Sequence, residues 1–231
     1  MSSLIVTRRN AALGVLGAGT AAALAACSSS NSNSNSSGSS SSSSGGSLSF
    51  SKAEPTMDYK DEVKFDSFDT SAGEYVPATR TEPAKNVPVP KLPENANEKS
   101  VEAFYTHIGY YAACIQYLLA TGDDTPLRKG SIGETEIQGV SMNSDMQKLL
   151  PLIKSGERWF DPKVIYILGT SQPELIGDSY KWPVQMKIDL GEFVASPEGF
   201  VNLSASDRIT TENFNIQGTY SNNKWNIVST A

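Results

Sequence analysis

The sequence predicts an α+β fold in which a long N-terminal helix and shorter helices pack on a curved antiparallel sheet. Two observations predict it. In the first half of the region able to fold, apolar residues recur at three- and four-residue steps, which is the helical period. After Gly156 the pattern changes to short runs rich in β-branched and aromatic residues, which is typical of strands. Helices followed by strands along a chain indicate helices on one face of an antiparallel sheet.

Composition restricts the kinds of partner. The chain has 231 residues, with 19 basic and 25 acidic side chains and a formal net charge of -6. An acidic surface repels phosphate backbones, so nucleic acid is not expected as a partner. One histidine and two cysteines offer no zinc-type spacing. We therefore expect no metal site and no other cofactor.

Residues 1–27 have the features of a lipoprotein signal peptide. Arg8 and Arg9 precede an uncharged stretch that is too short and too weakly apolar for a transmembrane helix. The stretch ends in Leu24-Ala25-Ala26-Cys27, a lipobox in which the thiol of Cys27 would take the diacylglycerol. We therefore expect a chain anchored by lipid to the extracytoplasmic face of the cell membrane. Residues 7–13 also resemble a twin-arginine signal, so the export route stays open.

Residues 28–94 are predicted to form a tether. From Ser28 to Ser47 every residue is Ser, Asn or Gly, a composition that buries too little apolar surface to fold. The next stretch mixes acids with Tyr59, Phe65 and Phe68, which fits either a solvated linker or a segment that docks on a partner or on the domain itself. The linker is favoured because the aromatic residues follow no period. A proline-rich stretch then predicts extended, polyproline-like chain.

The domain is predicted at residues 95–231 and begins with a long helix. A capping-box pattern at Asn95–Glu98 and a glycine at Gly122 predict its limits at about Asn97 and Thr121. One face carries Val101, Phe104, Tyr105, Ile108, Ala112, Ile115 and Leu119. A second stripe with the same period consists of His107, Tyr110, Cys114 and Tyr117. A helix with two such faces is often buried on both.

Two short helices and five strands complete the prediction. Asp123-Asp124-Thr125-Pro126 opens a short helix, and another runs from Ser144 towards Ser155 with Pro151 inside it. Pro183 indicates a bulge or the start of a strand. A turn at Ser221-Asn222-Asn223 would join the last two strands as a hairpin. The strands are predicted at 164–168, 184–194, 200–205, 214–220 and 225–229.

Two resemblances follow from these elements. The order of a long helix and then a sheet resembles the nuclear transport factor 2-like cone, and Trp225-Asn226-Ile227 resembles the usual last strand of that fold. The Pro- and Gly-containing elements also resemble an actinobacterial lipoprotein family of unknown function; they are Glu74–Thr79, Pro83–Pro88, Thr121-Gly122-Asp123 and Pro126-Leu127. This second resemblance implies a location and a fold, but no activity. The Cys-x-x-Cys pair that is frequent in that family is missing at Gly130–Glu134, so no redox role is implied.

No catalytic set stands out in the sequence. His107 is the only histidine, and the nearest conceivable carboxylate partner is Asp189 in a predicted strand. A half-buried histidine bonded to backbone or water is the favoured interpretation. Cys114 follows His107 by seven residues, which is about 10 Å along a helix axis and too far for a hydrogen bond between them.

The second helical stripe is therefore the main candidate for ligand binding. His107, Tyr110, Cys114 and Tyr117 could line a pocket, although burial in the core is favoured. The leading hypothesis is a non-enzymatic binding or scaffolding domain for an unknown protein or small molecule. The alternative is a small-molecule carrier or an enzyme that uses the cavity of the cone. A purely structural envelope protein is the third possibility.

Overall fold

The structure, a computed structural model, describes residues 57–141 and 144–230. Residues 58–230 belong to one compact unit. The predicted signal peptide with Cys27 and the Ser/Asn/Gly tract lie outside the described residues. Within the described part of the chain, no helix is long and apolar enough to cross a membrane.

Short strands come first, the main helices follow, and most strands lie in the second half of the chain. The strands are β1 (Asp61–Glu62), β2 (Phe68–Asp69), β3 (Val89–Pro90), β4 (Lys163–Leu168), β5 (Glu174–Ile176), β6 (Ser179–Asp189), β7 (Phe193–Ser196), β8 (Gly199–Asn202), β9 (Ile209–Ser221) and β10 (Lys224–Thr230). The α-helices are α1 (Val101–Thr121), α2 (Thr125–Lys129), α3 (Glu134–Ser141), α4 (Ser144–Lys154) and α5 (Ala205–Arg208), and a 3-10 turn at Glu94–Asn97 precedes α1.

The main sheet has the strand order β1-β4-β6-β9-β10, and β5 pairs with the first part of β6. All these pairings are antiparallel. The hairpin of β9 and β10 turns at Asn222 and Asn223, whose φ angles of 51° and 60° suit a tight turn of the type that asparagine tolerates. The predicted hairpin is thereby confirmed. Two small sheets, β2–β3 and β7–β8, lie apart from the main one.

The core lies between α1 and one face of the main sheet. Along β6 the buried side chains alternate with exposed or half-buried ones, as a sheet covered on one face requires. Phe104 of α1 stacks on Trp182 of β6 and Trp225 of β10, with ring centroids 5.8 and 5.5 Å apart. This aromatic stack joins the helix to strands that are far apart in the sequence.

The predicted fold class is wrong. The described part of the chain is sheet-rich: 34% of it is strand, arranged in antiparallel sheets, and 30% is helix. It begins with strands instead of a long N-terminal helix. The periodic apolar run forms α1 in the middle of the chain, and the other four α-helices have only 4 to 11 residues. The nuclear transport factor 2-like assignment fails as well, because it depended on a long first helix. Strand pairing at the start of the folded unit is non-local, and hydrophobic periodicity cannot reveal it.

Local signals predicted some element limits correctly and others not. α1 ends at Gly122, whose φ of 72° is left-handed, as expected of a terminating glycine. Its start is at Val101 instead of Asn97, because the side chain of Ser100 accepts a hydrogen bond from the amide of Ala103 at 3.1 Å. The strand predicted over 184–194 is divided between β6 and β7 by a turn at Gly191, where φ is 83°.

The folded unit starts near Asp58, so residues 58–94 are part of the domain and not of a tether. We call residues 58–69 the strap. Tyr59 of the strap packs against Tyr105 and Trp182, and β1 pairs with β4. Docking on the domain itself, the less favoured interpretation of this stretch, is therefore what the structure shows. The contacts are made with residues more than 40 positions away, which composition does not reveal.

Candidate binding groove

A half-open groove of about 340 Å³ lies between the strap, α1 and the start of β4. Apolar and aromatic side chains make up most of its walls, and a few polar ones lie among them. The lining residues include Val63, Phe65, Phe68, Tyr75, Gly109, Ala112, Ala113, Gln116, Tyr117, Ala120 and Val164. A pocket of this size with apolar walls and few polar groups is typical of small-molecule sites.

Small residues on one face of α1 form the floor of the groove. Gly109, Ala113 and Ala120 follow the three- and four-residue steps of a helix face, so the backbone of α1 is approached closely there. The side chain of Gln116 leaves this face to accept a hydrogen bond from the amide of Val164 at 3.0 Å. This bond joins α1 to β4 and holds the two walls together.

Aromatic side chains form the opposite wall. Phe65 contacts Phe68 and Tyr110 edge-on, with ring centroids 5.3 and 5.9 Å apart. Tyr75 is 41% exposed, and its hydroxyl donates to a carboxylate oxygen of Asp161 at 3.5 Å. The rings of Phe68 and Tyr75 offer stacking surfaces that are still partly open to solvent.

Charged side chains lie at the rim. Glu62 and Lys64 form an exposed ion pair with 3.0 Å between the nitrogen and the oxygen, and Lys163 lines the groove at the start of β4. Exposed pairs of this kind contribute little to stability because water screens them. They are therefore available to a ligand at low energetic cost.

The structure separates the four residues of the predicted helical stripe. Tyr117 is half-buried and lines the groove. His107 is 2% exposed, and its Nε2 donates to the carbonyl of Ala96 at 2.9 Å. The hydroxyl of Tyr110 donates to the carbonyl of Pro126, and Cys114 is buried in the core. Three of the four side chains therefore belong to the core, and one belongs to the groove.

Burial also determines the protonation of the core members of this stripe. It lowers the pKa of His107, an effect that the hydrogen bond with Ala96 partly offsets. It raises the pKa of Cys114 to about 12, so the thiolate is suppressed at neutral pH. A neutral imidazole and a protonated thiol are consistent with structural roles for both side chains.

Asp189, the conceivable carboxylate partner of His107, is instead paired with Arg208. Its two carboxylate oxygens accept from the Arg208 guanidinium at 3.0 and 2.8 Å. Hydrogen bonding from Arg208 holds the pKa of Asp189 below its usual range. Among residues 57–141 and 144–230, no three His, Cys, Asp or Glu side chains are grouped so that they could hold a metal ion.

Most of the groove is not predictable from the sequence. Phe65 and Phe68 follow no period, so the sequence pattern favours a linker for them. The small residues Gly109, Ala113 and Ala120 carried a usable signal, since a row of small side chains along a helix face indicates close approach by another part of the chain. That signal does not identify which part approaches.

No curated protein and no solved structure matches the chain significantly. A family model described as a family of unknown function, DUF6318, matches residues 73–231. The match covers more than half of the chain and includes α1 and β4, although it begins after the strap. The chain therefore belongs to this family of unknown function, DUF6318.

Proposed function

We propose that the chain is a lipid-anchored, extracytoplasmic binding protein whose groove holds a small amphipathic molecule. The groove is the observation that carries this proposal. Its volume of about 340 Å³ suits a small ligand, and its floor of small residues leaves the aromatic rings accessible. Binding would need no catalytic group, which agrees with the structural roles of His107 and Asp189.

The lining indicates the chemistry of the ligand. Phe68, Tyr75 and Tyr117 favour an apolar or aromatic body, because ring contacts and burial of apolar area both stabilise such a complex. Lys163 and the Glu62–Lys64 pair at the rim favour a polar or charged end that stays near solvent. An amphipathic molecule satisfies both parts of the groove.

The groove can be tested with the apolar fluorophore 1-anilinonaphthalene-8-sulfonate. We expect its fluorescence to increase on binding to the wild-type chain, and Ala113→Phe to remove most of this increase by filling the floor of the groove. Ala205→Phe on the exposed face of α5 is the matched control and should behave as the wild type. Near-ultraviolet circular dichroism would check that both variants are packed. Equal fluorescence from a folded Ala113→Phe variant and from the wild type would exclude the groove as the site.

The lipid anchor is supported by the sequence of the leader. The lipobox at Leu24–Cys27 follows an uncharged stretch of the expected length, and the Ser/Asn/Gly tract after it would separate the domain from the bilayer. Diacylation at Cys27 would give durable attachment, because two chains bind a bilayer far more firmly than one.

Metabolic labelling with an alkyne fatty acid tests the anchor. We expect the wild-type chain to incorporate the label in a bacterial host that processes lipoproteins, and Cys27→Ser to incorporate none. Cys114→Ala is the matched control, since it removes the other cysteine, which is buried, and should be labelled as the wild type. Label that persists in Cys27→Ser would show that the lipid is attached elsewhere, and an unlabelled wild type would refute lipidation.

A further inference from the structure

The strap closes an edge of the main sheet, although it lies outside the family match. Asp61 and Glu62 pair with Leu168 and Ile167 of β4. Two further backbone bonds extend this ladder, from the amide of Tyr59 to the carbonyl of Ser171 at 3.1 Å and from Val63 to Tyr166 at 2.8 Å. The region matched by the family model, residues 73–231, contains β4 but not the strand that covers it. An uncovered strand edge pairs readily with another extended chain.

Two aromatic side chains anchor the strap. Tyr59 lies against Tyr105 and Trp182, with ring centroids 4.7 and 5.6 Å apart. Phe65, six residues later, packs on α1 at Gly109. The backbone between these anchors makes the ladder with β4. The strap is therefore bound as a peptide would be, by a strand edge and two side-chain pockets.

Gly109 permits this close contact because it has no side chain. A Cβ atom at this position would lie 3.0 Å from Cβ of Phe65 and 3.3 Å from Cγ1 of Val63. Glycine stabilises the interior of a helix less than alanine does, so its presence in the middle of α1 calls for a reason. The close seating of the strap on the helix backbone supplies one. The pocket belongs to the matched domain, whereas its occupant does not.

The backbone of the strap is also strained at one residue. Asp61 has a φ of 91°, a positive value that residues other than glycine rarely adopt because it strains the backbone. The chain leaves the strap through residues 70–77, all of which are exposed. The strained backbone and the exposed connection favour release of the strap. Release would uncover the core rings of Trp182 and Tyr110, so an aromatic segment from another chain would be stabilised in the same place.

We infer that the edge of β4 and the pocket at Gly109 form a strand-binding site that the strap occupies in cis. A partner protein occupies the same site, when the strap leaves, with an extended acidic segment bearing two aromatic residues six positions apart. The sequence of the strap defines this chemistry: Tyr59 and Phe65 fill the pockets, and five acidic residues against two lysines make the segment acidic.

A labelled peptide with the sequence of residues 57–69 tests this inference by fluorescence anisotropy on the full chain. The double variant Tyr59→Ala/Phe65→Ala weakens the strap and leaves its site intact. We expect it to bind the peptide at least about ten-fold more tightly than the wild-type chain, because the competing strap has lost both anchors. Asp61→Gly relieves the strain in the strap, so this variant should bind the peptide more weakly than the wild type.

Two controls test whether the peptide binds at the proposed site. Adding Gly109→Ala to the double variant should weaken peptide binding, since the new methyl group would lie only 3.0 Å from the place of the Phe65 Cβ atom and 3.3 Å from its ring. A peptide in which alanine replaces Phe65 should bind at least about ten-fold more weakly than the original peptide. Cooperative thermal unfolding would show that each variant is folded.

Two results would overturn the inference. One is equal peptide affinity for the wild-type chain and the double variant. The other is absence of binding to a double variant that unfolds cooperatively. The fluorophore experiment on the groove uses the wild-type chain with its strap in place, so failure of one experiment does not imply failure of the other.

Discussion

His107 shows how one buried side chain can make stability depend on pH. The imidazole is 2% exposed, is close to the ring of Trp225, and donates to the carbonyl of Ala96 in the turn before α1. Burial lowers its pKa, so the native state binds a proton less readily than the unfolded state. The contribution of His107 to stability is therefore complete above its ordinary pKa of about 6.5 and decreases as the pH falls below that value.

We expect the free energy of unfolding to decrease between pH 7 and the lowered native pKa of His107, by at most about 1.4 kcal/mol per pH unit. His107→Gln keeps an N–H donor for Ala96 but does not titrate, so this decrease should be absent. Urea unfolding of both chains at a series of pH values measures the difference. The lowered pKa of Asp189 affects stability only in a more acidic range, so it does not interfere. Parallel pH curves for the two chains would contradict the prediction.

At the scale of elements, the contact of α1 with the sheet depends on a glycine. Gly218 of β9 pairs with Tyr180 of β6 and Ile227 of β10 and lies beneath the ring of Phe104. A Cβ atom at Gly218 would lie 2.5 Å from a ring carbon of Phe104, closer than two carbon atoms can approach. The ring is held between Trp182 and Trp225, so it has little freedom to move aside.

Gly218→Ala should therefore destabilise the domain by roughly 1–3 kcal/mol, the usual cost of overpacking a dense core. Gln217→Ala, one residue earlier on the other face of the sheet, is the matched control, and its effect should stay within about 0.5 kcal/mol. Chemical unfolding followed by tryptophan fluorescence measures both. A Gly218→Ala variant as stable as the control would show that α1 shifts to accommodate the methyl group.

Elements with local signals were predictable. Gly122 ended α1 as expected, and Asn222 and Asn223 joined the last two strands through a tight turn. The start of α1 was misplaced by four residues because Asn95 and Ser100 both offer capping side chains, and only the packing of the preceding turn decides between them. α3 was not predicted, since its eight residues carry only a short apolar pattern.

At the scale of the whole molecule, the groove depends on contacts between distant parts of the chain. Its floor comes from α1, one wall comes from the strap about 40 residues earlier, and the other comes from β4 about 50 residues later. Of the candidate residues that the helical period identified, only Tyr117 lines it. The other three are buried in the core. His107 and Tyr110 donate hydrogen bonds to the carbonyls of Ala96 and Pro126, and a periodic pattern does not reveal such partners.

The sequence by itself determined the features that depend on neighbouring residues: the helical period of α1, its terminating glycine, the last hairpin, and the leader pattern that predicts a lipid anchor. The tertiary structure alone decided that the strap belongs to the folded domain, that the fold is sheet-rich, and that a groove opens beside Gly109. The physical reason is that strand pairing and side-chain burial join residues far apart in the chain. Whether Phe65 is a solvated linker residue or an anchor depends on the glycine that it meets, and the chain brings the two together only by folding.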